Sequence, residues 1–155
     1  MYEAILKKKK DNSLNEYKEN ALLTDEIVEK IMDEHCLTLK EIHKNCYLQY
    51  NKKLVEFDVL IEAETPTGRT RWISVELKES DVSKVISQAS VRRDFAHFSY
   101  CILNNSVKWV TQYLLYVYPE LVKQEMIGFF SDNIFVLQSK YKSPRIEINM
   151  ENTKK

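Results

Sequence analysis

A chain of 155 residues, 44% hydrophobic and 30% charged, is long enough to bury a core of its own as one domain. Its 23 basic and 23 acidic residues cancel, so nucleic-acid affinity cannot come from overall basicity and must come from local patches. Two glycines exclude the Gly-rich phosphate loops of P-loop and Rossmann proteins, and three cysteines without a Cys-X-X-Cys pair exclude a thiolate zinc site.

The odd cysteine count, the lack of an apolar run of about 18 residues and the lack of a signal-peptide core predict a cytoplasmic, reducing location without membrane contact. Lys7 to Lys10 form a basic run that reads as a solvated arm over residues 1–13. Ser13 and Glu16 make a capping box for a helix opening at Leu14, and Thr24 with Asp25 and Glu26 makes a second start signal. Ile27, Val28, Ile31 and Met32 then recur at helical spacing; one helix or two over 14–35 stays open. Leu37, Leu39 and Ile42 give a strand signal between Cys36 and Tyr50, and Asn51-Lys52-Lys53 reads as a turn.

Leu54 to Lys78 is the most informative stretch. Two runs rich in Val, Ile, Phe and Trp flank Pro66-Thr67-Gly68, which predicts a hairpin with Gly68 in the left-handed position. Thr65 then faces Arg69, and the register pairs Phe57 with Leu77, Val59 with Val75 and Ile61 with Ile73 as one apolar face. The other face pairs Asp58 with Glu76 and Glu56 with Lys78. Like charges directly opposed are destabilising, and a slip of one residue would bury them, so the register is well specified. The same residues would also serve as a solvated face, with Glu56–Lys78 an ion pair worth ~0–1 kcal/mol. Acid opposite acid instead favours a divalent cation between Asp58 and Glu76, since Mg²⁺ and Mn²⁺ prefer oxygen ligands.

Beyond the hairpin, Ser80 or Asp81 caps a helix whose apolar side carries Val82, Val85, Ile86, Ala89 and Ala96. Tyr100 to Asn104 reads as a short buried strand and Val107 to Gln124 as an amphipathic helix. Met126–Phe130 and Ile134–Gln138 form a second hairpin around Asp132-Asn133, and residues 142–155 read as a frayed polar tail.

Asp58 on the first hairpin strand, with Glu76-Leu77-Lys78 on the second, resembles the PD-(D/E)XK nuclease superfamily. The family's proline before the first acid is replaced here by Phe57. The resemblance implies an α/β (α+β) fold, an αβββαβ restriction-endonuclease-like core over roughly 24–104, with an added C-terminal helix and hairpin. It implies a Mg²⁺- or Mn²⁺-dependent deoxyribonuclease in which Asp58, Glu76 and the Leu77 carbonyl hold the cation and Lys78 orients water or stabilises charge on the phosphate. Glu26 would be the family's acid on the first helix, with Asp25 and Glu29 competing. Gln88 resembles a helix glutamine placed beside the site in several member families, whereas their downstream tyrosine is absent and Arg92 or Arg93 stands there. Lys52, Lys53, Lys84, Arg92 and Arg93 are the local basic residues that could meet DNA phosphates, as could Arg69 and Arg71. A homodimer is left open. The competing expectation is a non-cleaving nucleic-acid-binding or scaffold module of the same fold. His35, His43 and His97 show no ligand spacing.

Overall fold

In the computed structural model, which describes residues 2–8, 21–78, 91–104, 107–116, 127–131 and 133–150, the central hairpin forms with the expected register. Gly68 takes φ +86° and the Thr65 N–H donates to the Arg69 carbonyl at 2.8 Å. The strands β3 (Lys53–Glu64) and β4 (Thr70–Lys78) then pair Glu64 with Thr70, Ile61 with Ile73 and Val59 with Val75. Here the turn residues and the apolar alternation specify the same register, which is why it is readable in advance.

Around this hairpin lie β1 (Tyr2–Lys8), α1 (Asp25–Glu34), β2 (Thr38–Tyr50), β5 (Phe98–Leu103), α2 (Val107–Tyr116), β6 (Gly128–Ser131), β7 (Ile134–Leu137) and β8 (Ile146–Met150). The eight described strands make one mixed sheet in the order β7-β6-β5-β4-β3-β2-β1-β8. β1 to β4 pair antiparallel in succession, whereas β4–β5, β5–β6 and β1–β8 pair parallel. The chain is therefore a mixed α/β protein. The predicted helix over 80–96 falls mostly outside the described residues, as do the Leu14 helix start and the second half of the Val107–Gln124 helix.

Two ends of the chain correct the sequence reading. The expected basic arm begins with β1, and the expected polar tail contains β8; the two lie side by side in parallel. Alternation is the reason. Ala4 and Leu6 are buried while Glu3 and Ile5 are exposed, and Ile146 and Ile148 are buried while Glu147 is exposed. Four to six residues of such alternation suffice for a strand beside an existing sheet, although the neighbouring lysines dominate the composition.

The sheet carries a core on each face. On one side, Ile27, Val28, Ile31 and Met32 of α1 cover Val59, Ile61, Ile73, Val75 and Leu77. Thr24 caps that helix, its hydroxyl accepting from the Ile27 N–H at 3.3 Å. On the other side, Leu60 and Trp72 meet Phe95, Cys46, Leu48 and residues of β1 and β8.

Phe57 belongs to this second core, which corrects the single apolar face expected along 57, 59 and 61. On β2, Ile42 packs with the α1 side while Cys46 and Leu48, of the same parity, pack with the other. Both strands thus change face near Asn45 and Asp58. Asn45 holds φ +50°, a left-handed residue inside an extended run, and such a residue breaks the two-residue alternation. Asn is among the side chains that accept this conformation most readily.

Candidate functional site

The β3–β4 ladder ends where β3 changes face. Hydrogen bonding at Thr65–Arg69 sets the alternation, so the next rung past Val59–Val75 would give the Leu77 N–H to Phe57. The Leu77 N–H instead donates to Asp58 Oδ2 at 2.9 Å. The expected Phe57–Leu77 and Glu56–Lys78 pairs are therefore not part of the ladder, and β4 continues alongside β5, with Glu76 opposite Cys101 and Lys78 opposite Leu103. Asp58 sits in the fork between the two strands.

Glu76, one residue past the last rung at Val75 and next to the Leu77 that Asp58 accepts from, is 2% exposed. Arg92 Nε lies 2.8 Å from Glu76 Oε1 and also donates to the Glu56 carbonyl at 2.6 Å. The Arg92 guanidinium carbon stands 5.5 Å from the centre of the Phe57 ring. This arginine thus neutralises Glu76 and ties the end of β4 to β3. Burial pushes the Cys101 thiol well up, and the negative charges of Glu76 and Asp58 push it in the same direction. Both carboxylates therefore act on one neutral thiol.

As a donor set, two carboxylates with a backbone carbonyl suit Mg²⁺ or Mn²⁺, hard cations that take oxygen ligands. Asp58 has one oxygen committed to Leu77 and a second beyond it. The arrangement fits a divalent cation chemically, with Arg92 as the competitor for Glu76.

The other expected residues are dispersed. Gln88, Lys84 and the Lys78 side chain lie outside the described residues. Glu26 is exposed and pairs with Lys30 Nζ at 3.1 Å, and that lysine also donates to the Asn133 carbonyl at 2.7 Å. Since α1 covers Val75 and Leu77, and Glu76 alternates with both, Glu26 lies on the other side of the sheet from Glu76. Asp25 and Glu29 are likewise exposed. Arg93 is 1% exposed and donates to the Lys140 carbonyl at 2.7 Å, which withdraws it from any phosphate at the surface. Lys52 and Lys53 are exposed at the β2–β3 turn. Arg71 lies 5.2 Å above the Tyr141 ring.

Two histidines serve the core. Burial lowers His35 to about 4, its Nε2 shares a hydrogen bond with the Tyr100 hydroxyl at 2.7 Å, and that hydroxyl accepts from the Ser139 N–H at 3.2 Å. Burial, then Arg71 and Arg93, lower His97 to about 4, and its Nδ1 accepts the Trp72 N–H at 2.9 Å.

The third histidine is where sequence reasoning missed a cluster. Glu41, His43 and Glu62 each bring one ligand atom within 4.8 Å of the others. The signal was Glu41-Ile42-His43: one intervening residue puts both polar side chains on one side of a strand. Glu62 could be added only with the β2–β3 register, which a bulge between Leu39 and Glu41 sets.

Comparison of the chain with protein-family models, with characterised proteins and with solved structures returned no match in any of the three.

Proposed function

We propose that the chain is a divalent-metal-dependent nuclease that hydrolyses DNA phosphodiesters at the β3–β4 fork. One observation carries the reading: just past the last rung, Val59–Val75, Asp58 accepts the Leu77 N–H at 2.9 Å and so lies beside the Glu76-Leu77-Lys78 stretch where the strands part. The order α1-β2-β3-β4-β5 and the pairing of β5 parallel to β4 support an αβββαβ restriction-endonuclease-like core.

Asp58, Glu76 and the Leu77 carbonyl would hold Mg²⁺ or Mn²⁺, which when bound acidifies water and offsets charge growing on the phosphate. The Leu77 N–H fixes Asp58 through one oxygen and so orients the carboxylate without rotamer freedom. Lys78 orients the attacking water or stabilises the developing phosphorane charge. Arg92 holds Glu76 in place, and its guanidinium is of the type that would also take a substrate phosphate.

The second reading is a nucleic-acid-binding module that does not cleave. It is favoured by the burial of Glu76 and its pairing with Arg92, which give the carboxylate a counter-charge without a cation. Incubating the protein with supercoiled, linear and branched DNA, with Mg²⁺, with Mn²⁺ and with chelator, separates the two. Cleavage that requires the metal and is lost in Asp58→Asn supports the nuclease. Retarded DNA migration without cleavage under every metal supports the binding module.

A further inference from the structure

The Glu41–His43–Glu62 cluster lies along the β2–β3 pair, away from the fork. Glu41 and Glu62 are direct cross-strand partners, a like-charge pairing that costs stability unless something positive lies between them. Lys40 does not fill that place. Its ammonium lies 3.1 Å from Glu64 and only 3.9 Å from Glu62 Oε2, on the far oxygen.

Between the two glutamates points His43, 1% exposed, with its ring 5.8 Å from that of Trp72. Nε2 stands 3.3 Å from Glu62 Oε1 and 3.5 Å from Glu41 Oε2. Both separations are long for an N–H···O hydrogen bond, whose usual length is about 2.9–3.0 Å. They match another geometry. Ligand atoms at about 2.0–2.1 Å from a tetrahedral ion stand about 3.3–3.4 Å from one another. Nε2 faces both carboxylates while Nδ1 is buried without a hydrogen-bond partner among the described residues; a cation arriving between the glutamates would displace the ring proton from Nε2 and take its lone pair.

We propose that Glu41, His43 and Glu62 form a metal site distinct from the Asp58–Glu76 fork, for a first-row transition cation of the Zn²⁺ type. The imidazole decides the class, since nitrogen suits Zn²⁺ and its neighbours whereas Mg²⁺ prefers oxygen alone. Three protein ligands leave a position for water or a substrate atom. Glu62 also lines a cavity of about 420 Å³ walled by Trp72, His97, Pro144 and Ile148, which gives a non-protein ligand room beside the site. Closing the site asks only that Glu41 swing inward, and its side chain is half exposed and free of the core.

The test is calorimetric titration of the full chain with Zn²⁺, repeated with Mg²⁺, in a Cys36→Ser background that removes the exposed thiol. One Zn²⁺ per chain is expected, with Glu41→Gln and Glu62→Gln each weakening it by about tenfold or more, as loss of even an outer partner does. Co²⁺ in place of Zn²⁺ should give the visible absorption of a tetrahedral ion, lost in His43→Gln. Asp58→Asn, which alters only the fork, should leave Zn²⁺ affinity unchanged, so failure here and failure of the nuclease reading are separable. Absence of Zn²⁺ binding, or equal affinity in wild type and Glu41→Gln, overturns the site. Because Glu41 is exposed, its variant folds even if those at His43 do not.

Discussion

The Asp58 carboxylate stands in for a backbone carbonyl, accepting the Leu77 N–H at 2.9 Å on the rung that Phe57 would otherwise fill. One residue thus ends the ladder, opens the fork and keeps Leu77 satisfied. Leu77 is fully buried, and an unsatisfied buried N–H costs about 1–3 kcal/mol. Asp58→Ala should lose that much in urea denaturation. Asp58→Asn keeps an oxygen acceptor and should lose clearly less. Equal losses would mean that the side-chain bond does not hold the fork.

Arg92 has a different weight. It is 12% exposed beside a Glu76 side chain at 2%, and removing one member of a buried ion pair costs about 3–5 kcal/mol, because a charge is left behind. Arg92→Ala should approach that figure, and the double variant Arg92→Ala/Glu76→Gln should recover much of it. A double-mutant cycle reads the coupling; simple additivity would show that the pair is not the anchor.

Gly128 sits opposite Tyr100 in the β5–β6 pair, and a Cβ there would collide with the Tyr100 ring and the Ser139 backbone nitrogen. The ring cannot step aside cheaply, since its hydroxyl is held by His35 and Ser139. Gly128→Ala should therefore destabilise by about 1–3 kcal/mol or more, the usual range for overpacking. Thermal unfolding checks it, and a neutral result would show that β6 shifts freely.

The hairpin was legible because Gly68 and the Val59–Val75 and Ile61–Ile73 pairs all required one register. Helix α1 was legible from Thr24 and the Ile27–Met32 spacing. The face change at Asn45 was not, because a left-handed residue leaves no mark on composition and its break in alternation shows only when Ile42 and Cys46 are traced to different cores. β8 was hidden by the lysines and arginine around Ile146 and Ile148, and it depends on a partner, β1, that lies far away in sequence. The burial of Arg93 was equally hidden: beside Arg92 it reads as a basic pair, while its acceptor, the Lys140 carbonyl, is 47 residues away.

Acid should loosen the fold through two histidines. His35 and His97 drop from an ordinary 6.5 to about 4, chiefly because burial disfavours the charged ring. Between those values the unfolded chain binds more protons than the folded one, so stability is complete above pH 6.5 and falls as pH drops towards 4. His35→Gln and His97→Asn keep an acceptor for Tyr100 and Trp72 but cannot be protonated. Melting temperature against pH should be flatter in each variant across this window. An unchanged slope in both would assign the acid sensitivity to other groups.

Lys78 separates chemistry from binding in the proposed nuclease. In that proposal Lys78, two residues after Glu76 on β4, would meet the reacting phosphate and act on charge that develops only in the transition state. Lys78→Ala should then cut turnover by about 10²-fold or more while leaving DNA affinity nearly intact. Lys52→Ala with Lys53→Ala, at the exposed β2–β3 turn, should do the reverse if that turn meets DNA: weaker binding and a shallower salt dependence, because fewer counterions are released. Glu56→Ala is the control and should cost little activity, since it keeps the backbone carbonyl that accepts from Arg92. Single-turnover cleavage and salt-dependent binding, measured on the same DNA, give both quantities. If Lys78→Ala lost affinity in proportion to turnover, the lysine would be a phosphate contact, and the fork would be better read as a binding surface.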